Sequence, residues 1–400
     1  MAIDSFHTSG HSPGFNFDKS PVVFSTPSRC RVGLLGFGTV GSAVARRLTS
    51  HAFRGLELTH IFDRRAHQKR NRLSTGGSGR IVWTDRIDDV LTSDVDVVVE
   101  AIGGLEPAAE WLRAALLAGK SVVTANKQLV ARHGPALRTL ATRQGRQLRF
   151  EAAVGGAMPI VRALEGLVGD RLTRIVAILN GTTNAVLSRM EATGCAMEQA
   201  VADARARGYA ESDPSDDLDG FDAAAKLAIL CACGLGLRVD PGQIETRSAR
   251  PIAGSDFDDV KRRGGTIRQL AYAAYDDRRS TLTAWVAPTA VPCSSMFAHM
   301  TGPQNAAMIT TVHAGNIGIF GAGAGGDATA VAVISDLVEI ARDRAAIVPA
   351  PVLSAPRAIA GLEGGHNGPI ATLNAEFAHH VEDVSLCGLC VDCPLEAEAV

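Results

Sequence analysis

Between residues 208 and 227 the chain reads GYAESDPSDDLDGFDAAAKL, which sets Glu211, Asp213, Asp216, Asp217, Asp219 and Asp222 close together, with Lys226 just beyond. Six carboxylates at this density repel one another unless cations, a substrate amine or backbone donors balance them. A helix beginning near Phe221 puts Asp222 and Lys226 at i and i+4, on one face. The plainer alternative is a solvated acidic loop closed by a surface ion pair. A second candidate is Lys127, in TANK at residues 124–127, which opens a helix. Its charge has the sign of the helix end it sits on, so it calls for a nearby anion or carbonyl.

The elements that must position these groups start at Cys30. Residues 31–35 (RVGLL) read as a short buried strand, followed by Gly36-Phe37-Gly38-Thr39-Val40-Gly41 and an amphipathic helix to about residue 48. Glycine permits the tight turn at Gly36, close approach of a pyrophosphate at Gly38 and close helix–strand packing at Gly41. The helix N-terminus supplies free N–H donors. A strand at 56–62 ends in Asp63-Arg64-Arg65. The acid suits a ribose 2′-hydroxyl and so NAD, whereas the arginines suit a 2′-phosphate and so NADP. Further strands at 95–100 and 121–124, with a helix at 107–118 between them, make a parallel, doubly wound sheet. Two loops, Ala101-Ile102-Gly103-Gly104 and residues 124–127, lie at strand C-terminal ends, where such sheets bind ligands.

Past residue 149 the pattern changes. Residues 150–159 form a glycine-rich turn into a helix with Pro159 near its start. A strand at 174–179, a turn at 180–184 and helices to Gly208 follow. After a helix ending near Leu237, neighbouring strands are expected at 266–275 and 281–287, and another at 317–320. The last runs into the glycine-rich stretch 321–329, which marks close approach to a ligand or a hinge, and then a helix to about 342.

Four hundred residues suggest two domains. Hydrophobic content of 46%, charged content of 20% and a formal charge of −2 are ordinary for a soluble protein. They give no electrostatic reason to expect nucleic acid or a membrane surface. The first 29 residues lack a basic start with an apolar run, so they read as a flexible extension, and the expected compartment is the cytoplasm. Of eight cysteines, Cys30, Cys195, Cys231, Cys233 and Cys293 are scattered through apolar or helical stretches. Cys387, Cys390 and Cys393 form CxxCxxC near the end, with His379 and His380 upstream. This is metal-ligand spacing without a fixed fourth ligand, and the alternative is a flexible thiol-bearing tail.

Taken together, GFGTVG, VVEAIGGLEPA, TANKQLVARHG, FEAAVGGAMPIV, ILNGTTN, the acidic segment and GAGAGGDATA resemble the homoserine dehydrogenase family, in its order and spacing, over residues 30–345. The resemblance implies NAD(P)-dependent interconversion of L-homoserine and L-aspartate 4-semialdehyde, on the way to threonine, methionine and isoleucine. It implies a Rossmann-type nucleotide domain at 30–150 and an α+β substrate-binding and dimerisation domain at 151–320. A helix at 321–347 returns to the nucleotide domain, and 348–400 are a poorly ordered tail. By position, Lys226 exchanges the proton at the substrate oxygen, with Asp222 beside it and Lys127 near the nicotinamide. Glu211 binds the homoserine amine, with Asp216 and Asp217 in the substrate site. The cofactor set is Gly36, Phe37, Gly38, Thr39, Val40, Gly41, Asp63, Arg64, Arg65, Ile102, Gly103, Lys127 and Gly323. Glu151, with carbonyls of Val154, Gly156 and Met158, matches a monovalent-cation (Na or K) site. A homodimer is implied.

The chain departs from longer family members after Ile347, where no run suits a regulatory domain, so feedback inhibition through one is not expected. No aspartate kinase domain is expected ahead of the nucleotide domain. A thioester-forming semialdehyde dehydrogenase would need a cysteine with a histidine base, and Cys231, Cys233 and Cys293 have no evident partner. A non-catalytic NAD(P) sensor would have no need of Lys127, Glu211, Asp222 and Lys226. Truncation after Ser354 is expected to spare catalysis.

Overall fold

The computed structural model describes residues 29–342, apart from 51–52, 54 and 74–80, together with 358–360. The cysteine–histidine tail motif and the N-terminal extension lie outside the described residues.

The first sheet is formed by β1 (Cys30–Leu35), β2 (Leu56–Phe62), β3 (Val82–Thr84), β4 (Val97–Glu100), β5 (Ser121–Thr124) and β6 (Leu148–Arg149). All pairs are parallel, in the order β3-β2-β1-β4-β5-β6. The connections carry α1 (Thr39–Thr49), α2 (Ala66–Lys69), α3 (Asp88–Leu91), α4 (Ala108–Leu117) and α5 (Lys127–Arg143). The valines of β4 and β5 are fully buried, as strands covered on both faces must be. The order reverses between β1 and β4, and ligands bind at the strand C-terminal ends beside such a switch.

The chain continues through α6 (Ile160–Gly166), β7 (Leu172–Ile178), α7 (Gly181–Thr193), α8 (Met197–Ala206), α9 (Ser215–Leu218), α10 (Phe221–Leu230), β8 (Glu245–Thr246) and α11 (Gly254–Arg262). Then come β9 (Gly265–Asp276), β10 (Thr281–Pro292), β11 (Gln304–Thr311), β12 (Asn316–Ala322), α12 (Gly326–Arg342) and β13 (Ala358–Ala360). The second sheet runs β12-β11-β7-β9-β10-β13, with β8 also on β10. Its pairs are antiparallel except β10 with β8 and β13, so the sheet is mixed. The apolar side of α12 joins the core of β1, β2 and α1, so this helix returns to the first sheet.

Differences from the sequence reading include the following. Gly181-Thr182-Thr183-Asn184 is the first turn of α7, because the Asn180 side chain accepts from Thr183 N at 2.7 Å and caps it. α10 ends at Leu230 in a π-helical turn, Cys231–Leu235, closed by Gly236 at φ +67°. β11 is an additional central strand between β7 and β12. Within the stretch taken as tail, β13 pairs with Thr281–Thr283 at the sheet edge.

Candidate active site

The glycine loop leaves β1 at the switch point. Gly36 has φ +94°, and a β-carbon there would lie 2.8 Å from the Ala101 carbonyl oxygen. At Gly41 it would lie 2.0 Å from Gly36 O, so only glycine lets α1 pack on the turn. At Gly38 nothing beyond its own chain neighbours lies within 4 Å of that position. The missing side chain there clears space outside the protein at the N-terminus of α1, beside Thr39 and Val40, which suits a dinucleotide pyrophosphate. Phe37 N instead donates to Asp63 Oδ2 at 2.9 Å. Asp63 is buried against Lys69, while Arg64 and Arg65 are exposed.

The neighbouring loop is shaped by Glu100, which the sequence reading did not single out. Its fully buried carboxylate accepts from Ile102 N at 2.8 Å, Gly103 N at 2.9 Å and the Thr124 hydroxyl. Thus the main-chain donors of Ile102 and Gly103 turn inward. Asn126 caps α5 by accepting from Leu129 N and donates to Gly104 O, so it fixes where Lys127 starts. Gly323 packs on Asn305, whose side chain would meet a β-carbon there at 2.2 Å, and Gly326 packs on Thr39. The glycine run of 321–326 thus serves contact within the protein at these two positions.

Asp222 is the hub. Its side chain is 3% exposed, with Oδ1 2.6 Å from Lys127 Nζ and Oδ2 2.6 Å from Lys226 Nζ. The carboxylate joins a lysine of α5, on the nucleotide side, to one of α10 below the second sheet. Lys226 also donates to Leu179 O at 2.8 Å. Asn180 Nδ2 donates to Asp222 at 2.8 Å and to Asp217 at 2.6 Å. Sequence reasoning missed Asn180; its signal was an asparagine directly before a helix start.

Burial opposes the ionised form of Asp222, but the charges and hydrogen bonds of Lys226 and Lys127 hold it well below the usual carboxylate range. For Lys127, burial works downward, yet Asp222 first, then Asp217 and Glu211, lift it above the usual lysine value. Burial and the adjacent Asp222 charge push Asp217 up. The expected carboxylate cluster is therefore divided. Asp217 and Asp222 point inward, whereas Asp213 is satisfied by Ser215, and Asp219 by Ser248 and Arg250. Asp216 is exposed, away from the hub's hydrogen bonds. Glu211 is exposed, near enough for its charge to reach Lys127.

In the expected cation loop, the Glu151 carboxylate accepts from Val161 N at 2.9 Å and Arg162 N at 2.8 Å, capping α6. Each of its two oxygens thus accepts one main-chain N–H, which fixes the carboxylate at the start of α6. Met158 O accepts from Ile160 N at 2.8 Å. Gly156, at φ +64°, lies against Ala322 and Gly323. Among the described residues no three His, Cys, Asp or Glu side chains are grouped to hold a metal, and no helix is long and apolar enough to cross a membrane.

Two family models match the chain: "Homoserine dehydrogenase, NAD binding domain" at residues 36–151 and "Homoserine dehydrogenase" at 159–338. A homoserine dehydrogenase of Corynebacterium glutamicum is 38% identical over 347 residues, 84% of this chain and 76% of the relative. The crystal structure of a homoserine dehydrogenase from Thiobacillus denitrificans has a TM-score of 0.77 at 34% identity, covering 84% of this chain and 80% of that one. A hyperthermophilic archaeal homoserine dehydrogenase in complex with NADPH has a TM-score of 0.65 at 27% identity, over 78% and 97%.

Proposed function

The chain belongs to the homoserine dehydrogenase family and is an NAD(P)-dependent oxidoreductase acting on a hydroxyl group, and from that premise we propose how its residues interconvert L-homoserine and L-aspartate 4-semialdehyde. The carrying observation is the buried Asp222 bridging two lysines at 2.6 Å each. Bound at the Gly36–Gly41 loop, the nicotinamide cofactor supplies or accepts the hydride. Hydride transfer calls for no protein nucleophile, only orientation and a partner for the hydroxyl proton. Lys226 is that partner: it gives its proton to the aldehyde oxygen in reduction and takes it back in oxidation. Asp222 and Leu179 O fix its ammonium with two hydrogen bonds. Lys127, held by the same carboxylate from the nucleotide side, adds positive charge where an alkoxide develops. Glu211 and Asp217 supply the negative side for the substrate ammonium, with Asp216 at its rim.

Three further assignments belong to this reading. A monovalent cation, Na or K, is held at the Glu151 loop, by Glu151 with the carbonyls of Val154, Gly156 and Met158. The nucleotide unit comprises 30–150 with the helix after 321, and 151–320 form the substrate and dimerisation unit. Copies pair through the second sheet, where Phe320 of β12 is 63% exposed.

The test is homoserine-dependent reduction of NAD(P). Turnover that needs homoserine supports the reading. Cofactor binding without turnover would favour a sensor, and phosphate-dependent oxidation of the semialdehyde would favour thioester chemistry. Sedimentation as a monomer at micromolar concentration would remove the dimer.

A further inference from the structure

We propose that the buried Lys69–Asp63 pair sets the cofactor choice, withdrawing Asp63 from the adenosine ribose and leaving Arg64 and Arg65 to meet a 2′-phosphate, so that the enzyme prefers NADP(H) to NAD(H). The inference rests on the nucleotide reading of the glycine loop.

An acid at the end of β2 in this fold ordinarily accepts from the ribose 2′-hydroxyl and repels a phosphate there. Asp63 stands at that place, but its oxygens already have three donors from the protein. Oδ2 accepts from Phe37 N at 2.9 Å and from Lys69 Nζ at 2.6 Å, and Oδ1 accepts from Arg65 N at 2.8 Å. Lys69 Nζ also donates to Phe37 O at 3.1 Å, so the lysine ties the acid to the glycine loop. The two side chains are 10% and 11% exposed, which places the pair beneath the surface. Burial opposes the charge on Asp63, yet Lys69 and the N–H groups of Arg65 and Phe37 hold it below the usual carboxylate range.

Two consequences follow. A ribose hydroxyl meets a carboxylate whose hydrogen bonds are largely spoken for, so the usual gain for NAD is small. A 2′-phosphate meets a neutralised ion pair, so the usual repulsion is cancelled. The next two residues, Arg64 and Arg65, are exposed, with Arg65 anchored through its own N–H. Exposed guanidinium forks at a fixed main-chain position match phosphate geometry.

The experiment measures dissociation constants of NADPH and NADH on the full chain by nicotinamide fluorescence, without homoserine. NADPH should bind about 10–100-fold more tightly, the range of one or two charge-assisted hydrogen bonds. Arg64→Ala/Arg65→Ala should weaken NADPH by about tenfold or more and leave NADH within about twofold. Lys69→Met, which exposes the acid's charge, should shift the ratio toward NADH. If that variant fails to fold, the surface arginine pair still decides. NADH binding as tightly as NADPH to the parent, or equal loss of both in the arginine variant, would overturn the proposal. An unchanged ratio in folded Lys69→Met would overturn the part given to Lys69. Homoserine-dependent turnover with NAD as good as with NADP would refute the preference while leaving the activity intact; binding of neither cofactor would sink the nucleotide reading as well.

Discussion

Replacing Asp222 by asparagine keeps the shape of the hub and removes its charge, leaving two ammonium groups facing one another. Lys226 and Asp222 are 13% and 3% exposed, so their pair is screened little, whereas Lys127 is 39% exposed and its share is discounted toward the ~0.5–1 kcal/mol of surface pairs. Removing one partner of a buried pair costs about 3–5 kcal/mol, and that is the expected loss of unfolding free energy. The pH dependence follows from the two shifts. The raised value of Lys127 contributes stability present below the ordinary lysine pKa and lost only as pH rises through its folded value. The depressed value of Asp222 contributes stability present above the ordinary carboxylate pKa and lost only as pH falls through its folded value. Between about pH 5 and pH 9 the deficit of Asp222→Asn should therefore be flat, closing in strong acid and in strong base. Without Asp222, Lys127 loses its proton at lower pH, so an alkaline limb of kcat/KM that reports Lys127 should move downward. Urea unfolding across this range and a pH–rate profile would check both. A urea midpoint and an alkaline limb equal to the parent's would refute the hub.

Glu211→Gln should raise KM for homoserine with little change in kcat, a loss of about 2–5 kcal/mol if the exposed carboxylate is desolvated by the substrate amine; an unchanged KM would place the amine elsewhere. Asn180→Ala removes the cap of α7 and a donor to Asp217 and Asp222, and should cost about 1–3 kcal/mol in thermal unfolding with a fall in kcat. Burial, then the charge of Glu151, raises Asp336 to about 8, with the hydrogen bond from Glu151 N–H and the charges of Arg162 and Arg149 only partly offsetting this. Its ionisation is disfavoured in the fold, so stability is lost as pH rises from about 4 to 8, by at most about 6 kcal/mol at ~1.4 kcal/mol per pKa unit. The gap in melting temperature between Asp336→Asn and the parent should shift in the variant's favour across that range; a constant gap would contradict it.

Much of the first sheet was legible because its strands are short apolar runs and its turns need glycine for steric reasons, as Gly36 and Gly41 do. Asp222 and Lys226 were legible through helical spacing, since both lie on α10. Lys127 was legible only as a lysine at an unfavourable helix end; that its anion is Asp222, 95 residues away, depends on how α5 meets α10. Glu100 and Asn180 escaped because their work is to satisfy loop N–H groups and carboxylates contributed by other segments. β11 escaped because its apolar centre is only four residues long, flanked by Gln304, Asn305, Thr310 and Thr311. Proximity in sequence misled for Asp213, whose side chain finds the local Ser215, and for Asp219, which finds Ser248 and Arg250 from a distant segment.

The central claim is that Lys226 exchanges the proton during hydride transfer, and Lys226→Ala tests it most directly when kcat for homoserine oxidation is measured beside the cofactor dissociation constant. The account predicts a loss of about 10²–10⁴-fold in kcat, the usual contribution of a positioned acid–base group, with cofactor binding retained. Turnover near the parent's in a folded Lys226→Ala protein would contradict it.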